Sequence, residues 1–273
     1  MNVLGYITLM ITLKNLSLHP KMAVVLDTIV NIVMLWCVSS IHSWWTLLIL
    51  IILRILAWAL LIRLVYYPPE VSRLRHFFSL LIFLLGSLSV MLFVDWKYAW
   101  YLLGLFFILL PMFGFWLLPA QEDKLYLMSK HHRRWLFLMN VFGIGGLWNG
   151  LTAMIAFQVL NISSWFLILP MVALSTTVAV WWWREYGVPA DRKFWIWTIS
   201  FVFLLVEMSW VILLNPFGNF AQGLILTWIW YILWLVIRFY LSKDGIDWRR
   251  QRWFLGFNLL LLALFLIFLV RWN

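Results

Sequence analysis

Nine apolar runs, each close to twenty residues long, constrain this chain more than any other feature. They fall at about 23–41, 44–65, 77–94, 98–118, 135–159, 165–183, 194–214, 222–241 and 253–271. A helix needs roughly 20 mostly apolar residues to cross a hydrocarbon core of about 30 Å. Strands of a membrane barrel are shorter and alternate apolar with polar positions. The run from Leu259 to Val270 shows no such alternation, so helices are the form that satisfies every backbone group in lipid. The expected fold is all-α: a polytopic transmembrane helical bundle of about nine spans, built largely from helical hairpins and forming a single integral membrane domain. Composition agrees, with 66% apolar and 11% charged residues, against about half and a quarter in soluble domains. A soluble enzyme, a disordered tail and a disulfide-stapled secreted domain are thereby excluded. With Cys37 as the single cysteine, no intrachain disulfide can form.

Charge sets the expected orientation. Of the 20 Lys and Arg, all but Lys97, Arg271 and Arg54 fall in segments on the side of the N-terminus. Basic and neutral connections alternate along the chain, and those around 41–43, 160–164 and 215–221 carry no Lys or Arg. The positive-inside rule then puts the N-terminus in the cytoplasm and the C-terminus outside. The net charge of +10 equals that of this inner face alone, once Glu70, Glu122, Asp123, Glu185, Asp191, Asp244 and Asp247 are counted with it. It signals topology and attraction to anionic lipid headgroups, so nucleic acid is not an expected partner. The expected location is the cell membrane.

Residues 1–22 read as a cytoplasmic or interfacial segment, apolar at first but too short to span. The sequons at Asn15 and Asn161 are poor glycosylation signals, one being cytoplasmic and the other pressed against the membrane. Many of the 22 tryptophans fall where headgroups are expected. Trp44, Trp45, Trp96, Trp100, Trp165 and Trp272 mark the outer side, and Trp135, Trp181, Trp182, Trp183, Trp195, Trp248 and Trp253 the inner. Anchoring by indole rings accounts for most of them; an aromatic cage for a ligand is the alternative. Basic residues followed by an aromatic recur at Phe77, Trp135, Trp195 and Trp253. A duplicated hairpin would give that period, and so would any string of spans and short turns.

Ionisable groups inside a bilayer are costly and are the first place to seek function. Asp27, Arg54 and Glu207 are the three here. At 1.5 Å per residue, Arg54 lies roughly 16 Å and Glu207 roughly 18 Å from the inner ends of their spans, and Asp27 roughly 6 Å. Equal depth makes Arg54 and Glu207 a candidate ion pair. Arg54 could instead reach Asp27 and Asn31, which share a helix face. Such groups either fix which helices touch or relay protons or substrate.

The fifth span holds Asn140, Gly143, Gly145, Gly146, Asn149 and Gly150. Its glycines allow close helix packing or a break in mid-membrane. With Asp27, Asn31, Arg54 and Glu207, the residues Asn140 and Asn149 make up a candidate intramembrane polar site. The inner loop His131-His132-Arg133-Arg134 is a candidate grip for a phosphate-bearing headgroup. No metal-ligand spacing occurs among the five histidines, and neither a metal nor a cofactor is implied. Catalytic residues are not identifiable, since no nucleophile–base motif appears. Three functions remain open: binding or translocation of an amphipathic, lipid-like substrate; a non-catalytic membrane subunit that assembles with a membrane protein partner or with itself; and an enzyme acting on a phosphate-bearing lipid at the cytoplasmic face.

Overall fold

In a computed structural model, residues 18–40, 43–67, 71–118, 125–215, 217–242 and 248–268 are described. The expected interfacial segment before Leu18, along with His42, Glu70 and Trp272, lies outside them. Nine α-helices run through the described residues: α1 Pro20–Ser39, α2 Trp44–Leu64, α3 Arg73–Met91, α4 Lys97–Trp116, α5 Leu125–Ala156, α6 Trp165–Glu185, α7 Arg192–Leu214, α8 Asn219–Leu241 and α9 Trp248–Phe268. Eight of these, α1 to α8, are long and apolar enough to cross a membrane. The apolar part of α9, Gln251–Phe265, is shorter.

Local chemistry explains several helix starts. Pro20 occupies the first turn of α1, where its missing N–H costs nothing, and His19 accepts from the Lys21 N–H at 3.2 Å. Asp191 caps α7 by accepting from the Phe194 N–H at 2.8 Å. Most boundaries lie within a few residues of the sequence expectation. The exception is α5, which begins at Leu125 rather than near 135. His131, His132, Arg133 and Arg134 therefore sit on a helix and not in a loop. Charged residues end the apolar run there, but they are good helix formers and the helix continues through them.

The chain divides into two compact units. The first comprises residues up to 84 together with 95–139; the second comprises 85–94 and 140 onward. In the first, α1 packs chiefly along α4, where Gly104 leaves Leu35 room to approach. Trp58, Phe83, Phe107, Phe115 and Leu136 fill its interior.

In the second unit, α7 packs between α6 and α8, and α9 packs on α8. Indole N–H groups bind neighbouring helices: Trp230 donates to the Ser175 carbonyl at 3.0 Å and Trp234 to that of Ala179 at 3.3 Å. Trp183 donates to the Trp234 carbonyl at 3.0 Å. Trp182 and Trp183, expected at the inner interface, are instead fully buried; for Trp183 the N–H finds a carbonyl, which makes an indole as well placed in a core as at a headgroup. The end of α3 meets α5 through glycine. A Cβ on Gly86 would collide with the Gly143 carbonyl, and one on Gly146 with that of Gly86. A Cβ on Gly150 would stand 2.6 Å from Ser89 Cβ. The glycines of α5 thus serve close packing, and the helix is unbroken across them.

Candidate functional site

Two polar clusters are built within the first unit. The deeper one starts from Asp27 on α1. One turn on, Asn31 donates to Asp27 Oδ2 at 3.0 Å. From α2, Arg54 forms an ion pair and hydrogen bond with Asp27 Oδ1. Trp58, one turn from Arg54, donates its indole N–H to the same oxygen at 2.7 Å. The guanidinium also lies over the Trp58 ring, 4.1 Å from its centroid. Of the two partners open to Arg54 in the sequence, the structure selects Asp27. All four side chains are buried, and the ion pair is only 2% and 0% exposed at its two members. Three donors on one carboxylate offset the cost of burying its charge. The arrangement is saturated at the carboxylate, leaves Arg54 Nε and Asn31 Oδ1 buried without a hydrogen-bond partner, and is suited to locking α1 against α2.

The other members of the expected intramembrane site lie elsewhere. Asn140 and Asn149 are buried on α5, and Asn149 donates within its own helix to the Gly145 carbonyl at 2.8 Å. Glu207 is exposed on α7. Cys37 is half-buried.

The shallower cluster forms where α3 and α5 begin and α4 ends. The backbone after α2 is tied down by the Leu18 N–H, which donates to the Leu64 carbonyl at 2.8 Å. This holds Tyr67, whose ring is buried beneath Arg73. Ser72 accepts from the Arg75 N–H at 3.3 Å and so starts α3, which carries His76 inward on its first turn. The Tyr67 hydroxyl lies 2.7 Å from His76 Nδ1. Burial pushes that hydroxyl well above the ordinary range of a phenol, with Arg73 opposing the effect. The phenol therefore keeps its proton; where it donates to Nδ1, the hydrogen of His76 is on Nε2, and in the other tautomer Nδ1–H donates to the hydroxyl.

His132 comes from α5. Its ring lies 5.1 Å from that of His76, centroid to centroid and nearly edge-on, while Phe115 lies 4.6 Å from His76 on another side. The His132 ring bonds to the Gly114 backbone; Nε2 has no partner, so the bond is made through Nδ1 to the carbonyl. Gly114 also spares His76, since a Cβ there would stand 3.0 Å from its Nε2. His76 Nε2 and His132 Nε2 are both buried without a hydrogen-bond partner, a state that is uncommon and needs explaining. Arg75, whose charge acts on His132, and Arg133, next to His132 in sequence, are half-buried, and Arg73, His131 and Arg134 are exposed.

Of the expected headgroup residues, then, His132 is turned into the core, Arg133 lies at its edge, and His131 and Arg134 face out. Sequence reasoning missed His76, Tyr67 and Trp58. The phrase Arg75-His76-Phe77 was visible, but its link to His132 spans 56 positions and exists only in three dimensions. Among the described residues, no three His, Cys, Asp or Glu side chains are grouped as metal ligands would be. Comparison with protein-family profiles, with curated proteins and with solved structures finds no match to this chain.

Proposed function

We propose that the chain is a nine-span protein of the cell membrane, N-terminus cytoplasmic and C-terminus outside, that binds the phosphate-bearing headgroup of an amphipathic, lipid-like molecule at its cytoplasmic end. The carrying observation is the pair of unpartnered, buried imidazole nitrogens of His76 and His132, with Arg73, Arg75 and Arg133 on the segments that bear them. With Tyr67 donating to His76 Nδ1, the two nitrogens would suit one phosphate chemically. His76 Nε2 then carries a hydrogen and donates, whereas His132 Nε2 in its neutral form accepts. A singly protonated phosphate offers an acceptor oxygen and a P–OH donor side by side, and arginines bind its remaining oxygens through charge-assisted bonds.

Binding fits the geometry better than translocation. The Asp27–Arg54 pair is buried and bonded to itself, and α5 runs unbroken through its glycines. The test is binding of fluorescent phosphatidic acid and fluorescent phosphatidylcholine to the purified protein, with inorganic phosphate as competitor. Phosphatidic acid is expected to bind at least about tenfold more tightly, the difference that one charge-assisted hydrogen bond supplies. Arg75→Gln and His132→Leu should each erase most of that preference while leaving the helical circular dichroism intact. Competition by inorganic phosphate would point to the phosphate group alone as the ligand. Equal binding of the two lipids by the wild type would defeat the reading.

A further inference from the structure

Glu207 has no hydrogen-bond or ion-pair partner among the described residues, and it is exposed on the outer face of α7. It stands 15 residues after Arg192 and 7 before Leu214, so about 22 Å along the helix from one end and about 10 Å from the other. That places its carboxyl within the apolar span, in a stripe of exposed residues one helical turn apart: Ile199, Phe203, Trp210 and Leu214. Trp210 is held rigid by stacking on Trp165, with ring centroids 4.8 Å apart. A carboxylate facing lipid is costly on every scale, and acidic residues in spans almost always face protein or water. A flat apolar stripe with one rigid tryptophan and one unpaired acid has the composition of a contact surface between helices.

A second copy of this chain is a poor occupant. Its intramembrane cation, Arg54, is buried and committed to Asp27, and the other described Lys and Arg lie near the ends of the apolar spans. Two-fold packing on this face would also set one Glu207 beside another. We propose that the α7 face centred on Glu207 docks a transmembrane helix of a different protein, one that carries a lysine or arginine about 10 Å from the membrane surface nearest Leu214. The cation pairs with Glu207, and Phe203 and Trp210 flank the contact. This surface is independent of the headgroup cluster.

The test is co-purification of the full-length protein from membranes with tagged polyleucine helices. One carries a single lysine at the matching depth, one carries it at the opposite end, and one has none. Wild type should retain the matched helix at least tenfold above the other two, and Glu207→Gln should abolish the difference without changing the yield. Equal retention of all three helices would overturn the proposal. So would efficient disulfide cross-linking of Phe203→Cys to itself in membranes, which would make this face a contact between copies.

Discussion

At the scale of single residues, a buried charge is defined by what would be left if its partner were removed. Asp27 accepts from Arg54, Trp58 and Asn31, so Asp27→Ala strands the guanidinium of a buried arginine. The expected loss is about 3–5 kcal/mol, visible as a lower midpoint of thermal unfolding in detergent. The double variant Asp27→Leu with Arg54→Leu removes both charges and should recover most of that loss; a double variant as unstable as Asp27→Ala would refute the account. Tyr67→Phe keeps the ring and deletes one hydrogen bond to His76, for an expected cost of about 1 kcal/mol by the same measurement. The sequence marked Asp27, Arg54 and Asn31 because polarity in a span is conspicuous whatever the fold. It left Arg54 with two possible partners, since depth along a helix says nothing of which face it presents. Trp58 escaped notice because a tryptophan among 22 carries no signal until its N–H is seen to have an acceptor.

Helices and their contacts obey a different logic, in which missing atoms matter as much as those present. The apolar runs locate every helix but α5 to within a few residues because hydrophobic length is a local property. The start of α5 was set ten residues too late because the end of an apolar run was taken as the end of a helix. The small face of Gly146 and Gly150 was legible, and its partner, Gly86 on α3, was not. Gly86→Ala and Gly146→Ala each place a methyl against backbone that cannot yield. Both should lower the unfolding midpoint by an amount corresponding to about 2 kcal/mol or more. Gly256→Ala on α9 meets nothing within 4 Å and should be neutral or raise it by up to about 1 kcal/mol, the helix propensity gained. A loss at Gly256 equal to that at Gly146 would show that something other than the α3–α5 contact governs these glycines.

For the whole molecule, both proposed sites depend on a single vector, the direction in which the chain crosses the membrane. The headgroup cluster must face anionic lipid on the cytoplasmic side, and the depth assigned to Glu207 is measured from the outer surface. The proposed direction rests on the basic residues bordering α3, α5 and α7 and on their absence from the connection between α5 and α6. In a Cys37→Ala background, a cysteine replacing Ser163 should react in intact cells with a membrane-impermeant maleimide. One replacing Ala190, exposed in the turn between α6 and α7, should react only after permeabilisation. The opposite pattern would invert the chain and move the His76–His132 cluster to the wrong side for its ligand. The number of spans is tested at the far end, because the shorter apolar stretch of α9 leaves the ninth crossing to rest on charge. In the proposed nine-span orientation, with Arg249, Arg250 and Arg252 bordering α9 on the cytoplasmic side, Asn273→Cys is expected to label from outside. Labelling of Asn273→Cys only after permeabilisation, with Ser163→Cys still accessible, would leave eight spans and set α9 along the inner surface. The headgroup site and the Glu207 face would both survive that result, as neither draws on α9.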